Sequence, residues 1–211
     1  MPLHEFVNPY YYEQLNNEDL KEIQDYISQL SDSDYKHNEF DHYDGHEDKK
    51  YDVYRSCEIH YPKTSEFALF DMFNSMLTDD DPASENSLYR IGKKIFRSIN
   101  KQFYQYDLDD VFEFQLIKYH VGGEYNWHVD YGVSPKTDKV RKLSLTMQLS
   151  DPSSYEGGEL QLVDYANHLI MMEKYMGRVL VFDAKVPHKV WPVTAGERLA
   201  LVGWVSGPPL R

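Results

Sequence analysis

The chain has 211 residues, 41% of them hydrophobic, which is enough for one domain with a full core and short for two. Its 22 basic and 35 acidic residues give a formal net charge of −13, a surface that repels phosphate backbones and argues against nucleic acid as a partner. The single cysteine, Cys57, excludes an intrachain disulfide, suits a reducing cytosol and reads as a small packing residue. Met1 to Tyr12 lacks the basic and apolar regions of a signal peptide, and no apolar run approaches membrane-spanning length. A cytoplasmic protein with no membrane contact is the expectation. Oligomeric state leaves no mark in the sequence.

In chain order, Asn17 to Leu30 carries Leu20, Ile23, Ile27 and Leu30 at helical spacing, with Asn16 or Asn17 as cap. His37 to Asp52 is polar and acidic with little periodicity, and reads as a solvated loop. Thr64 to Leu77 is a second helix, with Phe67, Phe70, Phe73, Met76 and Leu77 on one broad face. Ser87 to Tyr104 is a third, where Leu88, Ile91, Ile95, Ile99 and Phe103 recur every three or four residues and Lys93, Lys94 and Arg97 form a solvated face. From Val111 the period becomes two: Phe112, Phe114, Leu116; Leu143, Leu145, Met147, Leu149; Leu160, Leu162; Val179, Val181. Short strands punctuated by Gly and Pro suggest a sandwich or barrel. The chain reads as one domain over residues 1–211, a helical part at 1–110 packed on a β core at 111–207.

His128 and Asp130 stand two apart. On a strand that spacing puts an imidazole and a carboxylate on one face. His188, at the start of another alternating run, can supply a third ligand. Two His and one carboxylate with three open positions form the facial triad of non-haem Fe(II) sites. His37, His42, His46, His60, His120 and His168 are rival ligands, and the first three read as loop residues.

Arg198 lies ten residues beyond His188. A three-residue hairpin loop, Thr194-Ala195-Gly196, with Gly left-handed, would pair Val193 with Glu197 and Pro192 with Arg198. Paired residues share a face, so Arg198 would look into the same interior as His188, where its fork suits a carboxylate. On the strand from Leu143 to Leu149, the leucines and Met147 face a core, while Ser144, Thr146 and Gln148 face either solvent or a wet cavity.

Together these residues resemble the Fe(II)- and 2-oxoglutarate-dependent dioxygenases of the prolyl 4-hydroxylase type, and among them the PKHD-type hydroxylases. The likeness covers Phe114 to Ser206. It rests on Tyr119, Gly122-Gly123, Tyr125, His128, Asp130, His188 and Arg198, on the segment Leu149 to Leu160 with its Gly-Gly-Glu-Leu, and on Trp204. The resemblance implies a mainly β fold with N-terminal helices, a double-stranded β-helix of the cupin-like jelly-roll kind. It implies His128, Asp130 and His188 as ligands of Fe(II). It also implies Arg198 as anchor of 2-oxoglutarate, with Tyr119 beside it; Gln148 and Ser144, on the polar side of their strand, are further candidates for binding the co-substrate, although related prolyl hydroxylases often place Tyr near the position of Gln148. O₂ is the oxidant, with ascorbate an optional reductant. The implied reaction couples decarboxylation of 2-oxoglutarate to succinate with hydroxylation of a prolyl residue or similar substrate, carried by a peptide, a protein or a small molecule.

Two other readings share the fold. A nucleic-acid dealkylating oxygenase would carry a second arginine six residues after Arg198, where this chain has Trp204. A non-catalytic jelly-roll module would have lost part of the triad or Arg198, and this chain has kept all four.

Overall fold

The computed structural model of the protein describes residues 9–41, 53–62, 86–109, 112–132 and 139–209. They form β1 (Tyr10–Gln14), α1 (Asn17–Ile27), β2 (Lys36–Asp41), β3 (Val53–His60), α2 (Ser87–Ile99), β4 (Phe112–Tyr119), β5 (Glu124–His128), β6 (Val140–Gln148), β7 (Tyr155–Gly157), β8 (Leu160–Val163), β9 (Leu169–Met171), β10 (Arg178–Asp183), β11 (His188–Val190), β12 (Val193–Gly196) and β13 (Arg198–Gly207). Eleven strands hydrogen-bond in the order β1-β10-β6-β13-β4-β3-β5-β11-β8-β9, with β2 also on β3, while β12 and β7 make a separate ribbon.

The sheet turns at β3. Its Glu58 and His60 pair with Lys118 and Leu116 of β4, whereas its Arg55 and Ser56 pair with Tyr125 and Glu124 of β5. One wall, β1-β10-β6-β13-β4, thus curls to face the other, β5-β11-β8-β9. Phe182 on β10 meets His188 on β11 across the interior, ring centroids 4.8 Å apart. This is the antiparallel jelly roll.

Period-two alternation sorts the long wall. Leu143, Leu145 and Met147 on β6, Val179 and Val181 on β10, and Leu201 and Val205 on β13 pack outward with Ile23 of α1 and Leu88, Ile91, Ile95, Phe96 and Ile99 of α2. Leu180 and Phe182, one step out of phase, join Cys57, Ile59, Ile117 and Tyr119 inside. Each fully buried side chain of this size is worth about 1.5–3 kcal/mol, so the helices are fixed mainly by this face. Asn16 caps α1 by accepting from the Asp19 N–H at 2.8 Å. The basic face of α2 is more engaged than solvation would require: Lys94 reaches Asp19 of α1 at 3.2 Å, Arg90 pairs with Glu22, and Lys93 and Arg97 lie over the Phe112 ring. A Cβ on Gly92 would come 2.3 Å from Phe114 Cζ, and one on Gly203 would come 2.4 Å from its Cε1, so the Phe114 ring fits only because both residues are glycine.

The first half is not helices and loops alone. α1 and α2 lie where helical spacing puts them, and a π-helical turn at Asn100–Tyr104 extends α2. Three strands, β1, β2 and β3, also come from this half. The polar stretch from His37 to Asp41, expected as the start of a loop, is extended because β3 offers it an antiparallel partner, His37 opposite Glu58; pairing replaces the missing apolar alternation. The rest of that stretch and the helix expected at 64–77 lie outside the described residues. Among the described residues, no helix is long and apolar enough to cross a membrane.

Candidate metal centre and its cavity

His128 closes β5, and Asp130 follows it in a turn held by the Asp130 N–H donating to the Ala184 carbonyl at 3.0 Å. Asp130 is therefore just past the strand. His188 opens β11 and is the direct antiparallel partner of His128. That register brings the two imidazoles within 4.1 Å, centroid to centroid. The ligand-capable atoms of His128, Asp130 and His188 all lie within 4.8 Å of one another, and among the described residues no second such cluster occurs. Asp130 Oδ1 is 3.7 Å from His128 Nε2, and Oδ2 is 3.4 Å from His188 Nε2.

The imidazole tautomers follow from their partners. His128 Nδ1 is 2.7 Å from the Asn126 carbonyl, and His188 Nδ1 is 3.0 Å from the Val186 carbonyl. A carbonyl only accepts, so each Nδ1 carries the hydrogen and each Nε2 turns a lone pair inward. Burial, with His188 adding to it, lowers the His128 pKa to about 4. Asp130 is buried too, which alone would raise its pKa. The facing histidines and the Ser144 hydroxyl, which donates to Oδ2 at 2.7 Å, outweigh burial and hold it below the ordinary carboxylate value. The rival histidines are otherwise occupied: His60 bonds Tyr26 and the Asp34 carbonyl, His120 sits between Glu58 and Glu197, and His168 pairs with Asp164. His42 and His46 lie outside the described residues.

The triad opens onto a cavity of about 450 Å³, part of it open to solvent, whose walls include Arg55, Tyr119, Thr146, Arg198 and Trp204. Arg198 is 3% exposed, and its Nε has no hydrogen-bond partner; among the described residues it pairs with no carboxylate. Its guanidinium stands 5.3 Å from the ring of Tyr119, its cross-strand neighbour.

The route to this placement is not the expected hairpin. Gly196 is left-handed, with φ 70°, but Val193–Gly196 pairs with β7, not with β13. The reason is topological. β11 belongs to one wall and β13 to the other, so the segment between them crosses the barrel instead of turning back on one sheet. Arg198 points inward through the alternation of β13 itself, where Leu199, Leu201 and Val205 pack toward the helices and Arg198, Val202 and Trp204 line the cavity.

The other expected residues separate. Tyr119 lines the cavity, and burial raises its pKa. Ser144 is spent on Asp130. Gln148 lies in an adjoining recess that shares Thr146, Leu160 and Arg198, and its Nε2 donates to the Tyr155 hydroxyl at 2.7 Å. Gly158, with φ 65°, passes so close that an added Cβ would come 2.9 Å from Arg198 Cδ. Sequence reasoning passed over Arg55. Its signal was a charged residue in phase with Cys57 and Ile59, both of which face the interior.

The comparisons agree with this geometry. Residues 114–206 match the model of the 2OG-Fe(II) oxygenase superfamily. A PKHD-type hydroxylase of Gloeothece citriformis is 38% identical over 89 residues, 42% of this chain and 40% of the relative. A PKHD-type hydroxylase of Shewanella sp. (strain MR-7) is 32% identical over 139 residues, 63% and 59%. The chain thus spans less than two thirds of the length of these curated relatives. Among solved structures, a Pseudomonas putida prolyl-4-hydroxylase superposes with a TM-score of 0.65 at 19% identity, covering 96% of this chain and 95% of that one. A Trichoplax adhaerens prolyl hydroxylase, in complex with a hypoxia inducible factor peptide fragment, also gives 0.65, at 17% identity over 94% and 84%. These two share the jelly roll.

Proposed function

We propose that the protein is an Fe(II)- and 2-oxoglutarate-dependent dioxygenase that hydroxylates a C–H bond of a prolyl residue or a similar substrate. The observation that carries this is the convergence on one wall of two inward Nε2 lone pairs and a carboxylate. Three electron-rich atoms within 4.8 Å repel one another unless a cation sits between them, and two nitrogens with one oxygen suit a first-row divalent metal. The carbonyls at Asn126 and Val186 and the hydroxyl of Ser144 are the outer partners that orient such ligands. In this reading Fe(II) is held by His128, Asp130 and His188, and with 2-oxoglutarate and O₂ it supplies the oxidising chemistry that ends in succinate, CO₂ and a hydroxylated product.

The chain's own residues bind, orient and line the site. Arg198 has an unused donor and no carboxylate partner among the described residues, so a five-carbon dianion with a free distal carboxylate matches it in charge and fork geometry. Tyr119, buried and protonated, can add a hydrogen bond to the same carboxylate. Trp204, Phe182 and Leu160 add apolar walls to the cavity. A peptide prolyl substrate is suggested by the prolyl hydroxylases among the structural neighbours.

The test is succinate formation from 2-oxoglutarate with Fe(II), ascorbate and a prolyl peptide panel, comparing the unmodified protein with His188→Ala. The variant is expected to lose at least about a hundredfold in turnover, with the melting temperature of its metal-free form kept within a few degrees. Equal turnover by both proteins would overturn the reading.

A further inference from the structure

Arg55 is the second arginine of the cavity, and nothing in the triad or the Arg198 anchor uses it. It projects from β3 and is 9% exposed. Its guanidinium carbon lies 4.7 Å over the ring of Tyr125, and that ring stacks on His128 at 3.6 Å. So it stands one ring away from the metal ligands. One nitrogen donates to Gln115 Oε1 at 3.3 Å, while Nε is buried without a partner.

The titratable groups that face it are Cys57, which also hydrogen-bonds it, Tyr119, Tyr125 and His128. Burial raises the pKa of both the Cys57 thiol and the Tyr119 phenol, so neither is an anion at neutral pH. No carboxylate among the described residues pairs with Arg55. A neutral amide and an aromatic face soften the cost of burying a guanidinium but leave its charge uncancelled.

A charge count then discriminates between substrates. A divalent metal, the Asp130 carboxylate, a 2-oxoglutarate dianion and the Arg198 guanidinium sum to zero. An uncharged internal prolyl residue would keep that cavity neutral without Arg55. With Arg55 present, one positive charge is left over. We propose that Arg55 binds a carboxylate of the primary substrate, so that the substrate is a free amino acid or a chain-terminal residue whose own carboxylate lies near the C–H bond to be hydroxylated. This deepens the function proposed above and rests on it.

The experiment is calorimetric binding to the protein loaded with Zn(II) and 2-oxoglutarate, so no turnover is needed. The probes are L-proline and a dipeptide ending in proline, each as acid and as amide, together with an acetylated peptide amide that has an internal proline. At least one acid is expected to bind about tenfold or more tightly than its amide, the worth of one buried charge-assisted bond. The two acids distinguish a free amino acid from a chain terminus. Arg55→Gln should erase the acid–amide difference, and Arg55→Lys should keep part of it, with Zn(II) and 2-oxoglutarate affinities unchanged in both. The proposal is overturned if no acid outbinds its amide, if the internal peptide binds best, or if Arg55→Gln weakens 2-oxoglutarate while sparing the difference. Failure of Zn(II) or 2-oxoglutarate to bind at all would instead sink the function on which it rests.

Discussion

Ser144 donates its hydroxyl hydrogen to Asp130 Oδ2 at 2.7 Å, reaching from β6 across the interior to the turn after β5. The bond ties one wall to the His-Asp-His edge of the other and fixes the rotation of the carboxylate, with Oδ2 toward His188 and Oδ1 toward His128. Ser144→Ala removes the tie without changing charge. Outer partners of this kind are worth roughly 10–100-fold in metal affinity, so Zn(II) dissociation should rise by about tenfold in a calorimetric titration. An unchanged constant would mean that Asp130 is held by its backbone alone.

Arg198→Lys keeps the positive charge and loses the fork. With Zn(II) bound, 2-oxoglutarate affinity should fall by about tenfold or more, while Zn(II) affinity moves less than twofold. A parallel loss of both would show that Arg198 supports the metal wall instead of holding the co-substrate.

Acid should weaken the metal-free fold through His128. Its folded pKa, about 4, lies below its ordinary 6.5, so the unfolded chain takes up the proton first as pH falls. Stability should be flat above about pH 6.5 and decline between 6.5 and 4, by on the order of 2–3 kcal/mol. The Asp130 carboxyl, held below its usual 3.8, stays ionised through that window and contributes a loss only at lower pH. Urea midpoints taken across this range should lose most of their slope in His128→Gln; an undiminished slope would assign it to other groups.

Gly92→Ala inverts the usual helix rule. In an exposed helix the change gains about 1 kcal/mol. Here the new methyl meets Phe114 Cζ at 2.3 Å, and Gly203 closes the ring's other side, so a net loss of about 1–3 kcal/mol is expected in urea unfolding. A stabilised variant would show that the ring can move.

The proximity of His128, Asp130 and His188 was readable because two of them are two residues apart and the third opens an alternating run. Arg198 was readable in destination but not in route. A hairpin would make His188 and Arg198 neighbours on one wall, whereas the strand order puts them on opposite walls. The alternation Leu199, Leu201, Val205 would have put Arg198 on the inner face without any turn. β1 was not readable, since Tyr-Tyr-Tyr-Glu-Gln has no strand period and is extended because β10 offers an edge, Tyr10 opposite Phe182. Arg55 was missed because its strand was not foreseen, and with no strand it had no face.

That pairing of β1 with β10 bears on how the protein comes off the ribosome. Tyr10–Gln14 is among the first of the described segments to emerge, yet its partner, Arg178–Asp183, is made only after most of the others. Until then the early strand has no template, and the apolar faces of α1 and α2 have no sheet to cover. Folding is therefore expected to wait until Arg178–Asp183 has been made, and slowing translation within the codons for residues 1–100 should leave the yield of folded protein unchanged.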